Sequence, residues 1–234
     1  MDNSLTISEK FYSIQGEGQT MGTPAIFVRL AGCNLLCKSS SWVCDSIEVW
    51  KKGTKTMFED VLDEEEQKRL ERRRTHLVFT GGEPMLYQKK IIAYLNYFIS
   101  EYGFKPIVEI ETNGTIRPLP EMFHWVNYWN VSPKLSNSGE SLQRRFNKKA
   151  IEEISYTVEN LMFKFVVSSE ADLDEIRDFF IRLVGKSNIY LMPAGETREQ
   201  LEKIRLKVIE LCLRYEVKYS ERLHIVAWNK KTGV

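Results

Sequence analysis

The 234-residue chain contains no run of about 18 apolar residues, the length that a membrane-spanning helix requires. Residues Met1 to Ser4 open no charged and apolar leader, so secretion is not expected and a cytoplasmic location is. Charge of one sign is also missing. The 33 basic and 32 acidic residues leave a formal net charge of +1, which argues against a broad nucleic-acid surface and an acidic interaction tail. The expected partner is therefore a small molecule, with no nucleic acid and no membrane. Nothing reads as a linker, a repeat or a low-complexity segment, and the length suits a single domain over residues 1–234.

Cysteine and histidine are scarce, with four and three copies. Three of the thiols are nevertheless crowded into "AGCNLLCKSSSWVCDS": three residues separate Cys33 from Cys37, and six separate Cys37 from Cys44. In a reducing compartment, closely spaced thiols are more often metal ligands or redox groups than disulfides. Structural zinc takes four ligands, and no histidine neighbours this segment; His76, His124 and His224 join only through the fold. A cubane iron-sulfur cluster held by three thiolates keeps one iron for another ligand. Spacing alone leaves iron-sulfur, zinc and incidental thiols all open. Cys212, in "VIELCLRYE", lies on a helical apolar pattern and reads as a buried structural thiol.

The remaining chain alternates short β-rich runs with amphipathic stretches. "LTISEKFYSI", "AIFVRLAG", "HLVFTG", "IVEIET", "YWNVSP", "MFKFVV", "NIYLMP" and "LHIVAW" read as strands. "MLYQKKIIAYLNYFISEYG" reads as a helix with Leu86, Ile91, Leu95, Phe98 and Tyr102 on one face, stopping at Gly103. "EADLDEIRDFFIRLVG" and "TREQLEKIRLKVIELCLRYE" repeat that pattern. Residues 51–75 read as a charge-rich surface helix, and residues 134–158 as a loop with one short helix. This alternation predicts parallel β/α units, as an open sheet or a barrel, with the chemistry at the carboxyl ends of the strands. "TGGEP", "ETNG" and "SPK" would then share one rim.

The ordered set "FYSIQGEG", "FVRLAGCNLLC", "CDS", "TGGEP", "ETNG", "SPK", "FKFVV", "LMP" and "LHIVAWNKKTGV" resembles the radical S-adenosylmethionine enzymes. Within them it resembles the 7-carboxy-7-deazaguanine synthase family of the queuosine pathway. The resemblance runs from about residue 7 to the last residue. "GGEP" marks only the superfamily, whereas "SIQGEG" followed by "VRLAGCN" and the "WNKKTGV" terminus is more specific. One departure stands out: the superfamily motif C-x-x-x-C-x-x-C is here stretched by four residues, so that aligning "WVCDS" makes Cys44 the third ligand.

The resemblance implies an incomplete, TIM-like β/α barrel of the radical S-adenosylmethionine type. It implies one 4Fe-4S cluster on Cys33, Cys37 and Cys44, S-adenosylmethionine and Mg2+. The implied reaction is ring contraction of 6-carboxy-5,6,7,8-tetrahydropterin with loss of ammonia, a carbon-nitrogen lyase activity, in a homodimer reduced by a donor such as flavodoxin. Gly82 and Glu83 would line the cofactor's amino end, Ser132 and Lys134 its ribose and carboxylate, and Met192 and Pro193 its adenine. Glu111 and Asn113 would also face the cofactor. Ile14, Gln15, Gly16 and Glu17 would read the pterin edge, Arg29 its carboxylate, with Thr80 and the terminal Val234 also on the substrate. Ser46 would meet Mg2+. No side chain is assigned a separate catalytic role. Two rivals are a glycyl-radical activase and a zinc-stabilised, non-enzymatic binding module with His76 as a fourth ligand.

Overall fold

The structure, a computed structural model, describes residues 2–39, 43–44, 46–231 and 233. These form a nine-stranded sheet in the order β3-β1-β2-β4-β5-β6-β7-β8-β9. The strands are β1 (Ser4–Ile14), β2 (Pro24–Leu30), β3 (Thr54–Met57), β4 (His76–Gly81), β5 (Val108–Thr112), β6 (Tyr128–Val131), β7 (Leu161–Val167), β8 (Ile189–Pro193) and β9 (Lys218–Tyr219). β1 pairs antiparallel with β2 and β3, and every other pairing is parallel.

The two faces of the strands are sorted by residue type. In β4, Leu77 and Phe79 point into a large apolar core with Ile26, Val28, Ile110, Trp129, Phe163 and Leu191, against the helices. Val78, on the other face, packs with Ala25, Phe27 and Phe11 instead, and Phe11 stacks on Phe27 at 4.8 Å. Period-two alternation thus sends the branched and aromatic residues outward to the helices and leaves Thr80, Glu111 and Lys164 for the interior.

The sheet must be curled. Gln19, in the loop between β1 and β2, donates to the Leu161 carbonyl at the start of β7, and Leu223 N–H donates to the Gly16 carbonyl at 2.8 Å. In a flat sheet β2 and β7 would stand about 19 Å apart, four strand spacings. The loop 15–23 reaches β7 because the sheet wraps around it, and the order from β3 to β9 leaves the barrel open. The alternation predicts parallel β/α units as an open sheet or a barrel, and an incomplete β/α barrel is what the family resemblance implies.

The helix Gln88–Tyr102 buries Ile91, Leu95 and Phe98 and stops where expected: Gly103 takes φ 74° and its N–H caps the Ile99 carbonyl at 2.9 Å. Leu86 departs from that face. It sits in the preceding 3-10 turn Pro84–Tyr87 and is about half exposed. Arg198–Tyr215 starts under Thr197, whose side chain accepts from Gln200 N–H at 3.2 Å. Cys212 is buried on it.

Several expectations are corrected. "LHIVAW" is the helix Leu223–Trp228, not a strand, because Arg222 and Ile225, three residues apart, are the positions it buries; its β-branched composition hid the helical period. Residues 51–75 hold β3 as well as a shorter helix, Glu64–Glu71, begun by an Asp63–Glu66 capping box. The polar run Thr54–Met57 forms a strand by pairing with β1 at the sheet edge, and β9 is likewise a two-residue edge strand outside the expected set. Residues 134–158 carry more helix than expected: Lys148–Thr157 buries Ala150, Ile151 and Ile154. No helix of the described residues is long and apolar enough to cross a membrane.

Candidate active site

The carboxyl ends of the parallel strands surround one cavity of about 580 Å3. Cys33, Cys37 and Cys44 all line it. The four extra residues of the cysteine segment do not separate the last two thiols. Lys38 and Val43 form an antiparallel bridge, and Cys44 N–H donates to the Cys37 carbonyl at 3.0 Å, a hairpin stem that holds Cys37 and Cys44 together. Ser40, Ser41 and Trp42 lie outside the described residues.

The cysteine loop is braced from two sides. Asn113, in the turn after β5, donates to Asn34 Oδ1 at 2.9 Å, and Asn34 donates to Thr115 Oγ1 at 2.7 Å. Leu36 N–H donates to Glu140, and Arg144 donates to the Asn34 carbonyl at 2.8 Å. At Gly82 a Cβ would collide with the Gly32 carbonyl and with Cys33, so the glycine is what lets the end of β4 lie against the cysteine loop.

The donor set fits an iron-sulfur cluster. The thiols are soft ligands on a glycine-made approach, and burial pushes Cys33 and Cys37 up to about 11, opposed at Cys33 by the Leu35 N–H bond and then the charge of Lys134, and at Cys37 by Lys134. Ligation would take the thiolates and release those protons. A zinc site completed by His76 does not fit. His76 opens β4 opposite Ala25, at the other end of the strands from Cys33, about 17 Å away along five residues. Among the described residues, no three His, Cys, Asp or Glu side chains are grouped around a single-ion position.

Below the thiols lies a polar layer. Thr80 Oγ1 donates to Glu111 at 2.7 Å, and Gln15 Nε2 bridges Glu111 at 3.1 Å and Glu109 at 3.3 Å. Glu109, fully buried, also accepts from Thr20 at 2.6 Å and Asn130 at 3.1 Å and pairs with His76. Across the cavity Glu17 is held by Lys164 and by Arg222 Nε at 3.1 Å, with His224 at 3.9 Å. Burial would raise the Glu17 carboxyl, but Lys164 and Arg222 outweigh it and hold it down to about 2. The helix carrying His224 closes on Gly16, where a Cβ would strike the imidazole.

Of the residues expected at the site, Ile14, Gln15, Gly16, Glu17, Arg29, Thr80, Gly82, Glu111, Asn113, Ser132, Lys134 and Met192 line the cavity with the three thiols and Ser46. Ser46 heads the short helix Ile47–Trp50, and Lys134 Nζ donates to Ser132 Oγ at 3.2 Å. Arg29 is paired with Glu9, its neighbour across the β1–β2 ladder, through Nε at 3.1 Å. Glu83 and Pro193 are buried and are not among the cavity-lining residues. Both Glu83 oxygens are taken, by Thr112 at 2.6 Å and by the N–H groups of Asn113 at 2.7 Å and Met85 at 3.0 Å. Burial raises its pKa against those bonds. Val234 lies outside the described residues.

Sequence reasoning missed Lys164, Arg222 and Glu109. A single lysine inside "LMFKFVV" was the one visible signal, since a charge in an otherwise apolar strand must find a partner.

The family of 4Fe-4S single cluster domains matches residues 14–120. The chain is 32% identical to the 7-carboxy-7-deazaguanine synthase of Pyrobaculum aerophilum, over 98% of this chain and 97% of that one. It is also 32% identical to the synthase of Halobacterium salinarum, over 97% and 91%. A crystal structure of QueE from Escherichia coli superposes with a TM-score of 0.67 at 26% identity, covering 94% of this chain and 95% of that one. Thiols, glycine turn and polar layer thus sit in a chain that matches these synthases from end to end, and the chain belongs to the 7-carboxy-7-deazaguanine synthase family.

Proposed function

We propose that this chain converts 6-carboxy-5,6,7,8-tetrahydropterin to 7-carboxy-7-deazaguanine with loss of ammonia, as a radical S-adenosylmethionine carbon-nitrogen lyase. The observation that carries the reading is one cavity lined by all three thiols together with Thr80, Gln15, Glu111 and Arg29. Cys33, Cys37 and Cys44 would hold the 4Fe-4S cluster, which when bound supplies the electron that cleaves the sulfonium of S-adenosylmethionine. Family membership leaves the activase and zinc-module readings without support.

The chain's own residues supply binding and orientation. Gly82, Asn113, Ser132, Lys134 and Met192 border the thiols and would seat S-adenosylmethionine; Lys134 brings the cation for its carboxylate. Glu111 is placed by Thr80 and Gln15 at the junction of cofactor and substrate. Glu83 and Pro193 would act from beneath, Glu83 by fixing the turn at Gly82 to the end of β5. Stacked Phe11 and Phe27 give a flat apolar floor for a heterocycle, and the groups at Ile14 to Glu17 would read its donor and acceptor edge. Arg29, paired with Glu9, would take the carboxylate. Ser46 would offer a hard oxygen to Mg2+.

Residues 1–234 would act as a single domain around this cavity, in the cytoplasm, where the four free thiols stay reduced. Exposed Leu206 and Leu213, seven residues apart on Arg198–Tyr215, support a homodimer. The test of the activity is anaerobic turnover with the carboxypterin, S-adenosylmethionine and dithionite. Equal release of ammonia and 7-carboxy-7-deazaguanine is expected; cofactor cleavage with no deazapurine would reject the reading.

A further inference from the structure

The two faces of β1 exchange within the strand. Before Ser8, Leu5 and Ile7 belong to the apolar core against the helices. Beyond Ser8 the residues that meet the helix layer are Lys10, which pairs with Glu66, and Tyr12, whose ring lies 4.3 Å from the Arg69 guanidinium. Odd-numbered positions therefore face the helices as far as Ile7 and the cavity afterwards, where Glu9 and Phe11 line it. The ladder with β2 locates the change: Ile7 stands opposite Leu30 and Glu9 opposite Arg29, so Ser8 is a single bulged residue. In an unbroken ladder Ser8 would oppose Arg29, and Glu9 would follow Leu5 and Ile7 into the apolar core. The bulge carries a cost, since Ser8 Oγ is buried with no hydrogen-bond partner among the described residues.

What the bulge delivers to the cavity is a carboxylate beside Arg29. Glu9 Oε1 accepts from Arg29 Nε at 3.1 Å, and among the described residues Arg29 has no other partner. With Nε held, Nη1 and Nη2 remain as the fork that a carboxylate takes with two parallel bonds. A long side chain is thereby ordered before a ligand arrives.

We propose that Glu9, turned inward by the bulge at Ser8, is the positioning residue for Arg29 and so helps select a pterin that carries a carboxylate. This rests on the proposed function, which gives Arg29 that carboxylate. Glu9 acts through Arg29, by fixing the fork.

The test compares Glu9→Gln with Glu9→Ala in iron-loaded protein with S-adenosylmethionine and no reductant, so that the pterin binds without turnover. Both substitutions remove the charge, but the amide oxygen of glutamine still accepts from Nε, and the gap between the two variants reports the bond alone. Calorimetric affinity for 6-carboxy-5,6,7,8-tetrahydropterin should be roughly 3- to 10-fold weaker in Glu9→Ala than in Glu9→Gln, the effect of ordering one long side chain only on binding. The gap should close for 6-methyl-5,6,7,8-tetrahydropterin, which has no carboxylate, and close again in an Arg29→Ala background, where the pair no longer couples. Iron content should be the same in every variant. Glu9→Met, which fills the volume without a comparable acceptor, stands in for Glu9→Ala should alanine unsettle the strand. Equal carboxypterin affinity in the two Glu9 variants, or a gap that persists with the methyl pterin or without Arg29, would overturn the inference. A wild type that binds the two pterins equally is a separate result, which would overturn the proposed function and the inference with it.

Discussion

The two ends of the cavity are built by opposite means. At the thiol end, short contiguous motifs do the work: a glycine that lets backbone approach backbone, three cysteines in one loop, and turns at neighbouring strand ends, after β4 and β5, that bond one another. At the inner end, each contact joins residues far apart in sequence: Gln15 with Glu109 and Glu111, Glu17 with Lys164 and Arg222. Close approach to a cofactor demands particular residue types at fixed spacing, so that end is written locally. A paired polar interior demands only that charges meet, and any strand can supply them.

If the division is real, removing a thiol and removing an inner charge should fail differently. Alanine at Cys33, Cys37 or Cys44 is expected to abolish iron binding and activity with little change in folding, whereas Cys212→Ala keeps its iron; metal analysis and visible absorbance decide this. Iron lost from the Cys212 variant would break the comparison.

Glu17→Gln should do the reverse. It leaves Lys164 and Arg222 buried beside a neutral amide, at a cost of about 3–5 kcal/mol read from the denaturant midpoint, while a folded fraction still binds iron. The pH dependence follows from the same group. Its carboxyl is held at about 2 when folded against an ordinary 4.5, so its contribution is complete above about pH 4.5 and is lost as pH falls through 2. The variant's stability should therefore change less than the wild type's across that window.

A smaller effect sharpens the hairpin. Deleting Lys38 to Ser41 brings Cys37 and Cys44 to two-residue separation, and since the stem already joins them, iron content should be retained. A folded deletion variant without iron would show that the hairpin shapes the ligand set.

The sequence made the thiol end legible for the same reason it made the parallel strands legible: both are local patterns. "HLVFTG" matches β4 residue for residue, and the aligned Cys44 does line the cavity with Cys33 and Cys37. What escaped was non-local. β3 and β9 are strands only because an edge pairs them, and the helix Leu223–Trp228 is fixed by Arg222 reaching Glu17 and the Gly195 carbonyl. Glu109 shows no signal at all, since "IVEIET" looks the same whether its first carboxylate meets water or the side chains of Gln15, Thr20, His76 and Asn130. Arg29 was found, but its pairing with Glu9 became visible only in the β1–β2 register.

The most direct test of this division is Arg29→Lys, with two rates measured on protein of matched iron content. Lysine keeps the charge and loses the planar fork, so carboxypterin affinity should fall roughly 10- to 150-fold, the equivalent of about 1.5–3 kcal/mol for a charge-assisted bond. Cleavage of S-adenosylmethionine without substrate should continue at the wild-type rate, because that step belongs to the thiol end. Unchanged affinity, or a parallel fall in both rates, would contradict the account.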